Sequence, residues 1–376
     1  MNTREAVDLL IVSAIMGLCM PSLAAPPRAA IPGALAIGSG GGASPAAFET
    51  AHGVEHVAAT WAAPRACATH KPQATPRLDL PFVDSTSSLA TTPFTVAVIP
   101  DAQHEATDNR MRHRLQWLID NRTNLNLKMV LAVGDVMNFN NEAQYINQSQ
   151  AFHVLNEAGI PYAIALGNHD TAAVKEDGGD AAPGDVNLNL RNTQRFNTHF
   201  PLDRFSALAG IGEHGKIDNS YHAFSAGGTE WLVLCLELFA RTDAVDWAKG
   251  VVASHPNHNV IVVTHAHLTS SATVQQDNGG YGDNSPQYVF DQLKQFKNVR
   301  IVLSGHTGVH GYRSDYGPQG NLIHQFLQTY HDRTHNPVRL LKIDLQADTI
   351  ESEVFVPSSN SVKQDGSAFT KSFSTK

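Results

Sequence analysis

The sequence has few charged residues and no cluster of basic side chains. Charged residues make up 16% of its 376 residues, and the formal net charge is -8 at pH 7. A protein that binds the nucleic-acid backbone uses clustered Lys and Arg to displace counterions. The nearest approach to such a cluster is Arg110, Arg112 and Arg114, whose spacing favours a solvated helix face. Nucleic acid is therefore not expected as a main partner.

Long apolar runs are also missing. The apolar stretch at residues 9–20 is too short to span a bilayer, which needs about 20 residues. Together with the small residues that follow it, this stretch is typical of a secretory signal peptide, which we predict over residues 1–25. Removal of that peptide would give a periplasmic or secreted protein without a membrane span.

Cysteine is scarce as well. Outside the predicted signal peptide the only cysteines are Cys67 and Cys235, which could pair once in an oxidising compartment. Cys235 lies in the apolar run 231–238, where a buried free thiol is the commoner arrangement. The sequence leaves a Cys67–Cys235 disulfide open.

Hydrophobic residues are plentiful, at 42% of the chain, which is enough for a substantial core. Residues 26–92 are rich in Ala, Pro and Gly and predict a linker or arm. From 93 to 357, β-rich runs alternate with helical patterns, which predicts an α/β domain with largely buried strands. Residues 171–230 break this alternation and are predicted to form a long insert near the site. The polar residues 358–376 are predicted to be a flexible tail.

Residue types that bind metal ions follow five of the apolar runs, where each run ends. They are Asp101; Asp135; Asn168 with His169 and Asp170; His265; and His306. Open α/β sheets place ligand sites at the carboxyl ends of their strands. Each residue alone is more often a cap, a turn residue or a hydrogen-bonded bystander. Their joint order predicts a centre for one or two divalent ions, and the carboxylate, amide and imidazole donors suit Mn, Fe or Zn.

These positions lie in short motifs whose order resembles the calcineurin-like metallophosphoesterases. The motifs are Asp101-Ala-Gln103, Gly134-Asp135-Val-Met-Asn138, Gly167-Asn168-His169-Asp170, Thr264-His265 and Gly305-His306-Thr-Gly308. The resemblance covers about residues 94–356. It implies an α/β fold with a two-sheet β-sandwich flanked by helices, and a metal site at the C-terminal ends of the strands.

The resemblance also implies roles for the individual residues. Asp135 would bridge two metal ions, and Asp101 would hold the first ion. Asn168, His265 and His306 would complete the second ion, as the corresponding residues do in the family. His169 would stand near the leaving-group oxygen, with Asp170 orienting its ring.

Two departures from the family pattern fall on the first metal ion. The family has His where this chain has Gln103, and a second His where it has Gly308. Gln103 can still offer an amide oxygen, and His104 or His310 could substitute if the loops shift. An oxygen-rich first position favours Mg, Mn or Ca over Zn.

The resulting prediction is an exported phosphoesterase that hydrolyses phosphoric mono- or diesters of small molecules or lipids. Hydrolysis would proceed by attack of metal-bound water, with His169 as general acid. A nuclease or phospholipid diesterase would share this chemistry. The alternative is a single-metal or non-catalytic protein that binds phosphate ligands outside the cytoplasm. His324 and His331 are predicted to be structural.

Overall fold

The computed structural model describes residues 92–178 and 181–374. The predicted signal peptide, the predicted arm up to residue 91 and Cys67 lie outside the described residues. Cys235 is fully buried. No helix within the described residues is long and apolar enough to cross a membrane.

The strands and helices of the described residues alternate through much of the chain. The strands are β1 (Phe94–Ile99), β2 (Leu127–Ala132), β3 (Tyr162–Ile164), β4 (Leu208–Ile211), β5 (Ser220–Ala226), β6 (Thr229–Leu236), β7 (His258–Thr264), β8 (Val299–Ser304), β9 (His310–Tyr316), β10 (Leu322–Gln328), β11 (Val338–Asp344), β12 (Thr349–Val356), β13 (Ser361–Val362) and β14 (Phe369–Ser372). The helices are α1 (Arg110–Asp120), α2 (Arg122–Leu125), α3 (Glu142–Glu157), α4 (Val186–Leu190), α5 (Gln194–His199), α6 (Thr242–Ser254) and α7 (Pro286–Leu293).

The strands form two mixed sheets. The first sheet has the order β13-β12-β11-β1-β2-β3, with β14 also paired to β12, and the second has the order β4-β5-β6-β7-β8-β10-β9. Strands β1, β2 and β3 are mutually parallel, and so are β6, β7, β8 and β10. The carboxyl ends of each parallel set therefore lie along one edge of its sheet.

Local sequence signals explain where two of the flanking helices begin. The side chain of Asn141 caps α3 by accepting a hydrogen bond from the backbone N–H of Gln144 at 3.1 Å. Ser285 caps α7 in the same way, at 3.2 Å from the N–H of Tyr288, and Pro286 occupies the first helical position. Such caps each contribute about 1 kcal/mol to helix stability.

The two sheets pack face to face, with helices on both outer faces. Alternate residues of β1 divide between two cores, since successive side chains in a strand point to opposite faces. Val96 and Val98 pack with Trp231 and Ile261 of the second sheet, in the core between the sheets. Residues of the opposite face, such as Ile99, pack against α1 and α3. Helices α6 and α7 cover the outer face of the second sheet in the same way.

The predicted two-sheet α/β sandwich with flanking helices is confirmed. The predicted flexible tail is wrong at two segments, because β13 and β14 both pair with β12. Phe373 explains the difference, since this side chain is only 3% exposed and packs against Trp231 and His324. Burial of one large apolar side chain contributes about 2 kcal/mol, enough to hold a short polar strand in place.

The predicted insert at 171–230 contains more regular structure than the sequence indicated. It includes α4, α5, β4 and β5, and the last two strands extend the second sheet. Phe196 and Phe200 of this segment are fully buried and stack on each other at 4.7 Å between ring centroids.

Candidate metal centre

The donor groups meet where the carboxyl ends of the two parallel strand sets face each other. The first sheet contributes oxygen donors after β1, β2 and β3, and the second sheet contributes imidazoles after β7, β8 and β10. These residues are Asp101, Gln103, Asp135 and Asn168 on the first side, and His265, His306 and His331 on the second. Ligand residues therefore follow the carboxyl ends of strands, which we call the strand-end rule. This placement brings together side chains that are far apart in the sequence.

The first of two donor clusters consists of Asp135, His265 and His306. Ligand atoms of these three residues all lie within 4.8 Å of one another. His265 Nε2 lies 3.1 Å from Asp135 Oδ2, and both side chains are almost fully buried. Asn168 is positioned beside this cluster, because the backbone N–H of the next residue, His169, donates to Asp135 Oδ1 at 2.9 Å. This is the predicted second metal position.

The other cluster shares Asp135 and adds Asp101 and His331. Its ligand atoms also lie within 4.8 Å of one another, and His331 Nε2 is 3.3 Å from Asp101 Oδ2. His331 was predicted from sequence to be structural, and its position in this cluster contradicts that prediction. His324, in contrast, is structural as predicted, since it is fully buried and lies 3.0 Å from the hydroxyl of Tyr312.

Buried donor atoms without a hydrogen bond show that these residues fit a metal ion. Within the described residues, five such atoms belong to the two clusters and their neighbours: Asp101 Oδ1, Gln103 Oε1, Asn168 Oδ1, His265 Nε2 and His331 Nε2. A buried polar atom that lacks a partner costs about 1–3 kcal/mol, so such atoms are rare unless a ligand satisfies them. Their concentration at one edge is what a site for divalent cations requires.

Close approach of ligand side chains explains two of the motif glycines. A Cβ atom on Gly167 would collide with Oδ1 of Asp135, and a Cβ atom on Gly305 would collide with Oδ1 of Asp101. Each glycine therefore leaves room for a carboxylate that comes from a neighbouring strand end. The Gly-Asn-His-Asp and Gly-His motifs therefore combine metal-ligand candidates with the glycines that let neighbouring loops pack closely.

The backbone at three of the candidate ligands has a conformation that non-glycine residues rarely adopt. The φ angles are 50° at Asp135, 75° at His306 and 42° at His331. Such positions cost roughly 1–3 kcal/mol each and concentrate at functional sites, where the surrounding structure holds them.

The electrostatics of the cluster favour a bound cation. Burial alone would lower the pKa of His265, but the carboxylates of Asp135 and Asp101 outweigh burial and raise it to about 10. Burial is the largest influence on Asp135 and opposes its ionisation, but the surrounding histidines, His265 first, together outweigh burial and lower the pKa of this carboxyl. Burial, followed by the charge of His265, lowers the pKa of His306 to about 3. In the absence of metal, a proton on His265 supplies the positive charge that the carboxylates require.

His169 is half-buried beside this site, and a hydrogen bond fixes the orientation of its ring. Its Nδ1 is 2.7 Å from the backbone carbonyl of Asn138. Because a carbonyl can only accept, Nδ1 carries a proton and Nε2 points away from that contact. The sequence prediction that Asp170 orients this ring is wrong. Asp170 instead accepts three backbone hydrogen bonds, from Val136, Met137 and Gly167.

Asp170 therefore stabilises the loops that carry the ligands. It is fully buried, and its three contacts join the segment after Asp135 to the Gly-Asn-His-Asp turn. Tyr145 from α3 donates to the backbone carbonyl of Asp170 at 2.9 Å, which fixes the turn on the helix. Asp170 is a positioning residue, and it has no contact with the ring of His169 among the described hydrogen bonds.

The two histidines considered as substitutes in the first position do not enter either cluster. The ring of His104 lies edge-on to His331, with centroids 5.9 Å apart. His310 stacks on Tyr330 at 5.8 Å, and its Nε2 lies 3.8 Å from Asp365. The imidazole that lies beside Asp101 and Asp135 belongs instead to His331, in the loop after β10.

Tyr281 is a second residue that the sequence did not reveal. Its hydroxyl lies 3.3 Å from His306 Nε2, and its ring packs edge-on against Phe239. The loop that carries Tyr281 is tied to the insert, because Gly282 N–H donates to the side chain of Asn187 at 2.7 Å. The only sequence signal for this loop is its high glycine content, which does not single out Tyr281.

Glu237 shows that an acidic residue at this edge is not automatically a ligand. It follows β6, but its carboxylate accepts hydrogen bonds from Arg241 and lies 3.7 Å from Arg191. A carboxylate already paired with two guanidinium groups has no strong electrostatic demand for a metal ion.

A comparison with known families agrees with this geometry. The family model for calcineurin-like phosphoesterases matches residues 94–310, which is more than half of the chain. The chain belongs to the calcineurin-like phosphoesterase family. The matched region begins at β1 and includes every candidate ligand except His331. Members of this family are metal-dependent phosphoesterases, which accords with the two donor clusters.

Individual relatives are distant. The chain is 26% identical over 280 residues to the uncharacterized protein YvnB of Bacillus subtilis; the match covers 70% of this chain but only 20% of that relative. GAP50, the anchor in the inner membrane complex of Plasmodium, is 10% identical, with 76% of this chain and 89% of that chain covered and a TM-score of 0.43. A phosphatase of Mycoplasma pneumoniae is 10% identical, with 76% and 94% covered and a TM-score of 0.38. Membership of the phosphoesterase family rests on the sequence match.

Proposed function

We propose that the protein is an exported, metal-dependent enzyme that hydrolyses phosphoric mono- or diesters. The observation that carries this proposal is the convergence of unsatisfied oxygen and nitrogen donors from both sheets on one buried carboxylate, Asp135. Such a shared carboxylate suits two divalent ions about 4 Å apart. Candidate ions are Mn, Fe, Zn, Mg and Ca.

The residues divide into those that hold the metal ions and one that handles a proton. Asp135, Asn168, His265 and His306 would hold the second ion, and Asp101, Asp135 and Gln103 would contribute to the first. Divalent ions bound there lower the pKa of water, neutralise charge on phosphoryl oxygens and orient the ester.

His169 is suited to donate a proton to the leaving-group oxygen. The hydrogen bond from Nδ1–H to the Asn138 carbonyl is present in both the neutral and the charged ring. The charged ring can therefore release its Nε2 proton to the departing alkoxide and keep its orientation. A positioned general acid of this kind contributes about 10²- to 10⁴-fold to the rate.

Hydrolysis of nitrophenyl phosphate and bis-nitrophenyl phosphate should be measured across a panel of these five metals, with metal content determined on the same samples. Faster turnover of the first substrate would identify a monoesterase, and faster turnover of the second a diesterase. A protein that binds metal but cleaves neither ester would refute the proposed activity and favour the alternative of a phosphate-binding protein.

Export is proposed from the leader-like segment at 1–25. Expression of the full chain in a bacterial host, followed by sequencing of the N-terminus of the product, should find a mature protein that starts close to residue 26. A cytoplasmic product with the intact leader would refute export and leave the proposed activity unaffected.

A further inference from the structure

We infer that His331 is a ligand of the first metal ion and completes that position together with Asp101, Asp135 and Gln103. This inference rests on the proposed metal-dependent function, because it concerns how the same centre is built. It adds a ligand from outside the region that the family model matches.

The position of the His331 ring is the first support. Its Nε2 lies 3.3 Å from Asp101 Oδ2, belongs to a donor cluster with Asp101 and Asp135, and is buried without a hydrogen bond of acceptable geometry. The side chain as a whole is 36% exposed although its Nε2 is buried, so part of the ring faces solvent and the donor nitrogen faces the site. A histidine that served only for packing would not need to place this nitrogen beside two buried carboxylates.

The backbone before His331 is bent toward the site. Tyr330 and His331 are consecutive residues with positive φ, at 59° and 42°. The N–H groups of Thr329 and Tyr330 both donate to the carbonyl of Val309 at 2.9 Å. This turn redirects the chain immediately after β10, and strain of this kind is retained where it places a functional side chain.

Two arginines of α1 hold the loops of the first position together. Arg110 donates to the carbonyl of His104, which follows Gln103, and to the carbonyl of Asp332 at 3.2 Å. Arg114 is fully buried, donates to the carbonyl of Asn336 at 3.1 Å and pairs with Glu105. The loop after β1 and the loop after β10 are thus fixed to one helix, which sets the distance between Asp101 and His331.

Position 308, by contrast, has no space for a side chain. Gly308 has a φ of +69°, and a Cβ atom there would lie 2.9 Å from both Cα and Cβ of Ser270. Any other residue at this position would require the loop after β7 to move. An imidazole for the first metal ion therefore has to come from another loop, and His331 is the one that reaches the carboxylates.

The resulting centre is asymmetric. The first position has one nitrogen and three oxygen donors, and the second has two nitrogen and two oxygen donors. Oxygen-rich sites favour Mg or Mn, whereas imidazole suits Zn and Fe. We therefore expect the two positions to differ in metal preference, and loss of His331 to weaken only the first.

The test compares His331→Ala with wild type and with His335→Ala, a control on the same loop whose side chain is 50% exposed and 3.2 Å from Asp332. Mn²⁺ binding is followed by electron paramagnetic resonance and by metal content after dialysis, and folding by circular dichroism. His331→Ala should lose about 100-fold or more in affinity for one ion, since even indirect partners of a ligand contribute about 10- to 100-fold. His335→Ala should match wild type.

Two further measurements separate a ligand from a packing residue. Added imidazole should restore Mn²⁺ at the first position of His331→Ala, and Gly308→His in that background should not. Equal Mn²⁺ affinity in His331→Ala and wild type would overturn the inference. A His331→Ala protein that is folded, has lost one ion and regains it with imidazole would establish it, even if wild type cleaved no ester and the proposed function failed.

Discussion

The two sheets contribute different chemistry to one site. The first sheet provides carboxylate and amide oxygens after β1, β2 and β3, and the second provides imidazole nitrogens after β7, β8 and β10. Neither sheet has a complete set of ligands, so the centre exists only when the core between them is packed. The difference indicates that packing of Val96 and Trp231 and placement of the metal ligands depend on the same contact between the sheets.

The carboxylate of Asp135 is shared by the two metal positions, whereas each imidazole belongs to one position. Asp135 is a member of both donor clusters, whereas His306 and His331 are each a member of one. A variant of Asp135 should therefore affect both metal positions, and a variant of His306 or His331 only one.

Asp135→Asn is expected to have the largest effect on metal content and on kcat. Metal content should fall from about two ions per chain toward zero, and kcat by about 10³-fold or more, because each ion contributes several kcal/mol to the transition state. Mass spectrometry of the dialysed protein and kcat with nitrophenyl phosphate check this. His306→Ala should retain about one ion. Equal metal loss in both variants would break the comparison between the sheets.

His169→Ala should separate proton transfer from metal binding. We expect kcat to fall by about 10²- to 10⁴-fold while metal content stays near that of wild type, since His169 contacts Asp135 through its backbone N–H only. His153→Ala, which removes a ring that is 61% exposed, is the control. Loss of metal from His169→Ala would show that the ring is a ligand and would refute its role as an acid.

The dependence of stability on pH should show that His222, buried in the second sheet, is kept neutral. Burial lowers the pKa of His222 from 6.5 to about 3. Between these two pH values, His222 is therefore protonated in the unfolded state but neutral in the folded state. His222 should thus reduce the free energy of unfolding by about 1.4 kcal/mol per unit as pH falls from 6.5 toward 3. The free energy of unfolding should be measured by urea titration at several pH values. It should fall less steeply with decreasing pH in His222→Phe than in wild type. The same dependence of unfolding free energy on pH in both proteins would mean that His222 is not kept neutral in the folded state.

Tyr281→Phe should have the smallest effect. The variant keeps the ring packed on Phe239 but removes the hydroxyl beside His306. One hydrogen bond contributes about 0.5–1.5 kcal/mol, so kcat/KM should fall by about 2- to 12-fold with metal content unchanged. Steady-state kinetics and metal analysis check this. A loss larger than that of His169→Ala would place Tyr281 among the catalytic residues.

The sequence predicted the fold and the ligands that follow apolar strands. Asp135, His265 and His306 each come after a run that is almost entirely hydrophobic, and their positions in the structure match the strand-end rule. The rule missed His331 because β10 contains three polar residues, His324, Gln325 and Gln328, and so does not form an apolar run.

Those polar residues are compatible with a buried strand because their hydrogen bonds are made inside the fold. Gln325 Oε1 lies 2.8 Å from His267 Nε2, and His324 contacts Tyr312. Such partners come from distant parts of the chain, so a single sequence does not show them. The role of Asp170 was misassigned for the same reason, since its partners are backbone N–H groups that only the folded loops bring together.

The attachment of both first-position loops to α1 has a consequence for the order of folding. The contact from Arg114 to Asn336 joins residues 222 positions apart in the chain. During synthesis from the N-terminus, the ribosome must release almost the whole domain before this contact can form. A chain arrested before the loop after β10 would lack His331 and also β11, which pairs with β1 beside Asp101. The first sheet and the first metal position should therefore both be completed only when the C-terminal part of the chain has been made.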